Sequence, residues 1–397
     1  MTTSQSAASL QPDLPRRLVI FLATCVGLIA ANGYYVQPLL AELGREFALS
    51  PQKAGQIVMV TQLGTAFGML TIVPLGDVRE LKSLVTILLT LAAVALLAMA
   101  TASSSISLFL ASFGVGMSNS IVHLIVPFAA YLAPESSRGR VVGTVLSGLL
   151  IGVLLARTAS GLTAGTLGWR GVYWAAATIM LILVMSIHRW LPRRPAIVHL
   201  EYFALLRSVF DLVRRHIALR EAAITGALLF AAFSALWTTL AFLLESPPFA
   251  YGPQVTGLFG LVGACGAAGA PIYGRMTDRI GPRQAVIYAL VITLIGFGIM
   301  AVFSKSLVGL IAGILVMDLG VQSGHVANQT RIYGIDPLAR GRLNTAYMVA
   351  YFAGGATGSA LGAFFWQHFG WIGVCGFAIS VVALGLAILC RGSKSWF

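Results

Sequence analysis

The stretch LVTILLTLAAVALLAMATA, residues 84–102, carries no charged side chain from end to end. A helix rises about 1.5 Å per residue, so a run of this length crosses roughly 30 Å of bilayer hydrocarbon. Comparable apolar runs lie at 172–187 with its flanks, at 285–303 and at 372–390. The rest of the chain has the same bias. Of 397 residues, 58% are hydrophobic and 10% are charged, where a soluble protein carries about 25% charged residues. So few charges cannot cover a water-facing surface, and the chain reads as an all-α, polytopic membrane protein.

Twelve spans are expected, at about 18–40, 54–75, 84–102, 107–132, 141–164, 171–188, 222–244, 255–274, 285–303, 308–330, 343–366 and 371–390. The first follows Arg16 and Arg17 but is longer than the apolar core of about 7–15 residues in a secretion signal, so it reads as an uncleaved helix. The net charge of +13 would suggest nucleic acid in a soluble protein. Here it follows the positive-inside pattern. With the N-terminus inside, Arg45, Lys53, Arg170 and Lys305 fall outside and Arg157 falls within a span. Every other lysine and arginine is cytoplasmic. Cys25, Cys265, Cys375 and Cys390 lie in or at the ends of apolar runs without metal-ligand spacing, so neither a disulfide framework nor a zinc site is expected.

The longest polar segment divides the chain. The expected organisation is a cytoplasmic tail (1–17), a six-helix bundle (18–188), a cytoplasmic linker (189–221), a second six-helix bundle (222–390) and a short cytoplasmic tail (391–397). Within the linker, LLRSVFDLVRRH (205–216) alternates apolar and basic positions as an amphipathic surface helix does. A shift of about 202 residues lays one bundle on the other. Asp77 falls on Asp278, Arg138-Gly139-Arg140 on Arg340-Gly341-Arg342, Gly152 on Gly354, and Gly168-Trp169 on Gly370-Trp371. A duplicated six-helix unit with binding between the halves is a transporter architecture.

The loop after span 8, GRMTDRIGPR (274–283), resembles the G-x-x-x-D-R-x-G-x-R signature of the major facilitator superfamily, through Gly274, Asp278, Arg279, Gly281 and Arg283. The loop after span 2, VPLGDVRELK (73–82), is a degenerate copy. Asp77 and Lys82 match, Arg79 is one place late, and Val73, Val78 and Glu80 replace Gly, Arg and Gly. Span 5 is similar to the superfamily's antiporter motif through Gly143, Gly152, Ala156, Ser160 and Gly161, with Arg157 where proline is usual. Within the superfamily the chain most resembles bacterial arabinose-efflux and drug-efflux permeases. The resemblance implies the two-bundle fold, a bacterial inner-membrane location, and a central cavity lined by spans 1, 4, 7 and 10. It also implies that the loop charges form and release hydrogen bonds as a gate.

Span 10 contains LVMDLGVQSGHVANQTR (315–331), in which Asp318, Gln322, His325 and Gln329 share one narrow helical face. A polar face does not point at lipid. The repeat sets His123 of span 4 on His325, so two histidines are expected across the cavity. Asp318, His325 and His123 are the candidate proton-coupling groups, and helix-locking hydrogen bonds are the alternative. The candidate cavity residues are Asn32, Tyr35 and Gln37 of span 1, Ser120 of span 4, Arg157 of span 5, Phe233 and Trp237 of span 7, and Gln322 and Asn328 of span 10. Arg157 either snorkels to the outer interface or makes a contact between helices. Tyr34 is expected in the aromatic belt.

Neither a nucleophile–base constellation nor a nucleotide loop is present in the sequence, which argues against an enzyme or a self-contained primary pump. The expectation is a secondary active transporter that exports a small amphipathic or sugar-like molecule against proton entry, with no cofactor. Its partners would be substrate, protons and membrane lipid, with no nucleic acid, and one chain suffices for the cycle. An importer or uniporter, or a ligand-binding membrane sensor, are the competing readings.

Overall fold

The computed structural model describes residues 14–135, 137–192, 202–267, 277, 279–336 and 339–392, without the side chains of Asp77, Ala267 and Gly392. Every regular element among the described residues is a helix. Span 1 begins as Arg16–Ala31, and spans 2 and 3 are Pro51–Thr71 and Leu81–Ala100. Span 4 is Ser105–Asn119 followed by Val122–Leu132, and spans 5 and 6 share Arg138–Trp190. A linker helix, Tyr202–Arg215, precedes span 7 at Ile217–Glu245. Span 8 is described over Pro253–Ala267, span 9 is Pro282–Val302, span 10 is Leu307–Tyr333, and spans 11 and 12 share Arg340–Gly392.

The two double-length helices break at repeat-related glycines, Gly168 (φ 69°) and Gly370 (φ 60°), in the left-handed region where a Cβ is strained. The tryptophan after each glycine anchors its turn. Trp169 donates to Glu46, and Trp371 Nε1 donates to the Met300 carbonyl at 3.0 Å.

Spans 1 and 4 were expected to be continuous, and both are interrupted. Helix 1 stops at Ala31, and the chain passes through Asn32, Gly33 and a 3-10 turn at Gln37–Leu39 before Leu40–Glu46. Pro38, which has no N–H to donate, lies in that turn. In span 4 the backbone bonds tighten to three-residue closure, with Ser120 N to Met117 O and His123 N to Ser120 O. The Ser118 and Ser120 hydroxyls also donate to backbone carbonyls there. Gly33 at the first break faces the Asn119 side chain at the second. Their repeat partners, spans 7 and 10, run unbroken.

Small residues let the spans approach where lipid supplies no hydrophobic drive. Gly148 and Gly152 of span 5 lie against Ala23 and Gly27 of span 1, and Gly354 and Gly358 of span 11 lie against Ala227 and Ala231 of span 7. The same contact is therefore made twice, once per half. Each half has its own apolar core, but Ala66 and Met69 of span 2 belong to the second core, and Ala241 and Phe242 of span 7 to the first. The linker helix buries Val209 against the second half and leaves Phe203 and Phe210 exposed. Tyr202 Oη donates to the Thr71 carbonyl at 2.7 Å, tying the linker to span 2.

The halves are closed at the end that carries Glu46 and Glu245. Spans 2 and 11 pack there through Gly55, which meets Ser359 and Ala363, and spans 5 and 8 through Gly161 and Gly257. Thr158 Oγ1 donates to the Gly257 carbonyl at 2.9 Å, and the Gln52 N–H donates to Gln367 Oε1 at 3.1 Å. Arg45 and Glu245 form an ion pair across the same end.

Candidate functional site

Between the halves, one position is built from both. Arg157 and Asp318 lie about 15 Å along their helices from the closed ends of spans 5 and 10, close to mid-depth. Both are only 2% exposed, as are Gln37 and Trp237. Arg157 Nε donates to Gln37 Oε1 at 2.5 Å, at the break of span 1. The guanidinium carbon stands 3.9 Å from the centroid of the Trp237 ring, 5.0 Å from Tyr34 and 5.6 Å from Phe233. A buried cation over aromatic faces gains up to about 2 kcal/mol per favourable contact, which offsets part of its burial.

Arg157 is therefore a contact between helices and halves, and it does not snorkel. Tyr34 stands beneath that cation and not in an interfacial belt, which corrects its sequence assignment. The reason is the break after Ala31: the backbone turn carries Tyr34 inward, where a continuous helix would have placed it by periodicity alone.

Asp318 occupies a notch that two glycines of span 8 leave open. A Cβ at Gly263 would strike Asp318 Oδ2, and one at Gly266 would strike Asp318 Cβ. Arg157 and Asp318 interact electrostatically but do not form a direct ion pair. The Trp237 indole lies beside the carboxylate, yet its Nε1 has no aligned acceptor. Gln37 Nε2, Arg157 Nη2 and Asp318 Oδ1 are likewise buried without a hydrogen-bond partner. Buried polar groups are almost always satisfied, so four orphans at one interface are a departure that needs a physical cause.

A second tier lies about 10 Å further along span 10. His325 is half-buried, and its Nδ1 is 3.0 Å from Tyr347 Oη. The Tyr351 ring is 4.7 Å from the imidazole and stacks on Phe230 at 4.0 Å. His123 of span 4 is half-buried and close enough to His325 for their charges to interact. Gln322 is half-buried on the same face of span 10.

Other candidates turn away from this interface. Asn32 Nδ2 reaches Met180 Sδ at 3.3 Å within the first half. Tyr35 packs into the first core, and its carbonyl accepts from Ser160 Oγ at 2.6 Å. Ser120 faces Gly68 of span 2. Asn328 Oδ1 accepts from Thr225 at 3.3 Å inside the second half. Sequence reasoning missed Tyr347 and Tyr351, whose four-residue spacing puts both on one face of span 11. A groove of about 530 Å³ lined by Thr86, Val184, Met185, His188 and Arg189 opens between spans 3 and 6, away from both tiers.

Of the loop signature, Gly274 and Asp278 lie outside the described residues, as does the Asp77 side chain. Gly281 has φ 86°, which favours glycine, whereas Glu80 at the equivalent place has φ −65° and caps span 3 by accepting from Ser83 N at 3.1 Å. The lost glycine of the first copy thus goes with a different backbone. Arg283 donates to the Leu389 carbonyl at 2.7 Å and approaches Glu221 at 3.9 Å, while Arg331 pairs with Glu221 at 2.7 Å. These contacts bind spans 7, 9, 10 and 12 together. Arg279 and Arg79 are exposed, and Lys82 is half-buried.

At the closed end, Glu46 pairs with Arg170 and accepts from Trp169. Burial pushes its carboxyl upward, but the hydrogen bonds from Trp169 and Arg170 outweigh burial and hold it below the usual carboxylate range.

Two six-helix halves enclosing a cation from one and an acid from the other define a multi-pass membrane protein of the transporter class. The family model of the Major Facilitator Superfamily matches residues 22–267 and again 222–393, and the chain belongs to that superfamily. It is 43% identical over 380 residues to the uncharacterized transporter YgaY of Escherichia coli O157:H7, covering 96% of each chain. It is 26% identical to the inner membrane transport protein YnfM of Escherichia coli K12, covering 89% of this chain and 85% of that one. Among solved structures, a bacterial homologue of the human lysosomal transporter Spinster matches with a TM-score of 0.79 at 14% identity, covering 97% and 98% of the two chains. The nucleoside transporter NupG matches with a TM-score of 0.75, also at 14% identity, covering 95% and 100%.

Proposed function

We propose that this transporter is a proton-coupled exporter of a small amphipathic molecule, working by alternating access with both termini cytoplasmic. The observation that carries the reading is the placement of Arg157 and Asp318: one charge from each half, buried at the interface, and not joined directly. A carboxylate in this setting has two uses. Deprotonated, it faces the guanidinium of the other half. Protonated, it loses that attraction, and the balance between the two packings of the halves shifts.

The titratable and charged groups around Asp318 are Arg157 and Tyr34 of the first half and Tyr351 of the second, with His123 and His325 in the next tier. Asp318 is the preferred proton carrier because it is a buried acid near mid-depth that faces the other half, unlike Glu245 at the closed end. The histidines stand nearer the basic end, on the path that a proton or cargo would follow. With the basic end cytoplasmic, the end closed by Arg45 and Glu245 is the outer one. Each charge moved through 100 mV yields about 2.3 kcal/mol, enough to drive accumulation.

The test is an unbiased substrate screen in proteoliposomes with an imposed pH gradient. Substrate-dependent dissipation of the gradient, with substrate moving opposite to protons, is the expected result. Transport that persists unchanged without a gradient would replace the reading with a uniporter. Co-movement with protons would make the protein an importer.

A further inference from the structure

Gln37 Nε2, Arg157 Nη2 and Trp237 Nε1 are hydrogen-bond donors that converge from both halves and lack acceptors, while Asp318 Oδ1 beside them is an acceptor that lacks a donor. Their residues are each 2% exposed. None of the four atoms has a hydrogen-bond partner, and Arg157 already donates its Nε to Gln37. A guanidinium without a direct acid partner and three unused donors describe the complement of an oxyanion. The neighbouring acid, also unused, describes the complement of a donor set a few ångströms from that oxyanion.

We propose that this position binds the polar head of a small carboxylate that also carries a donor group, an amino acid with an apolar side chain being the simplest form. The carboxylate engages Arg157 Nη2 with Trp237 and Gln37, the ammonium engages Asp318 Oδ1, and the apolar body lies toward Phe233 and Tyr351. The inference rests on the transport reading above and gives it a coupling rule. A proton on Asp318 removes the negative charge that the ammonium pairs with, so proton and cargo compete for one carboxylate, as exchange requires. A neutral sugar satisfies the donors but brings no charge to meet either Arg157 or Asp318, and a plain cation leaves all three donors empty.

Binding is measured at equilibrium, without a gradient, by thermal shift of the purified protein. The probes are leucine, phenylalanine and tryptophan, each beside its carboxamide and its deaminated acid. In at least one set the amino acid is expected to bind at least about tenfold more tightly than either partial analogue, because each analogue leaves a buried partner unmet. In Arg157→Gln the preference for acid over amide disappears. In Asp318→Asn the preference for the ammonium disappears. Circular dichroism and gel filtration check that both variants are folded, and Lys305→Gln, at an exposed position between spans 9 and 10, keeps both preferences.

Equal binding within every set, tighter binding of the carboxamides, or no shift with any probe overturns the proposal, the last outcome leaving the orphan atoms to bridging water. Because no gradient is used, selective binding without gradient dissipation refutes only the transport reading. Dissipation by neutral compounds without carboxylate binding refutes only this one.

Discussion

The guanidinium of Arg157, on span 5, stands 3.9 Å from the centroid of the Trp237 ring, on span 7, so a charge from one half rests on an aromatic face of the other. This contact holds the charge that Asp318 faces, and the energetics of the pair follow from it. Removing Arg157 alone, as Arg157→Met, leaves a buried carboxylate uncompensated and is expected to lower the melting temperature in detergent. The double variant Arg157→Met with Asp318→Leu is expected to recover most of that loss while remaining inactive in transport. A double variant less stable than the single would show that the two charges are not coupled.

Arg157→Lys tests the geometry of the group and leaves its charge in place. An ammonium cannot hold Gln37 while stacking on Trp237, because it lacks the planar fork. Transport is expected to fall by about tenfold or more with the protein still folded. Wild-type rates would assign the site to charge alone.

Asp318→Asn keeps the shape of the acid and removes its titration. Transport driven by a pH gradient should be abolished, while exchange of substrate without a gradient should persist only at raised substrate concentration, because the cargo's ammonium loses a charged partner. Unchanged driven transport would move proton coupling elsewhere, with His325 and His123 the next groups to examine.

At the closed end, Gly257 lies against Gly161 and the Arg157 carbonyl. Gly257→Val has no room there and is expected to wedge spans 5 and 8 apart. Cysteines placed near Thr158 should then label faster from the Glu46 side. Glu245→Gln, which removes the partner of Arg45, should give the same direction with a smaller effect, since exposed pairs contribute about 1 kcal/mol or less. Identical labelling in both variants would mean that these contacts do not seal the end.

The pH dependence of that end has a definite sign. Glu46 has its carboxyl lowered by Trp169 and Arg170, so its contribution is fully present above the unfolded value, about 4.3. It is lost as pH falls through the lower folded value. Melting temperatures taken from pH 6 downward should decline more steeply in wild type than in Glu46→Gln. Parallel curves would remove Glu46 from the acid response.

The twelve spans and the repeat were legible from the sequence, because hydropathy and helical periodicity depend on local composition. Gly168 and Gly370 marked the turns for the same reason: only a residue without Cβ is comfortable there. The polar face of span 10 was equally readable, and the structure puts its Asp318 against the other half. Asn32, Tyr35, Ser120 and Asn328 could not be sorted in this way. Each sits on an expected cavity span, yet its direction depends on where spans 1 and 4 break and on which neighbour offers a partner.

The sequence by itself therefore determined the membrane architecture, the duplication and the residues with polar capacity. Only the tertiary structure decided that Arg157 and Asp318 share one site. They lie far apart in the chain and in unrelated motifs, and no spacing rule connects them. Their meeting depends on the break after Ala31, which carries Tyr34 and Gln37 inward, and on Gly263 and Gly266, which leave room for a carboxylate beside Trp237. The unused hydrogen-bonding atoms between them exist only when the two halves close over one point.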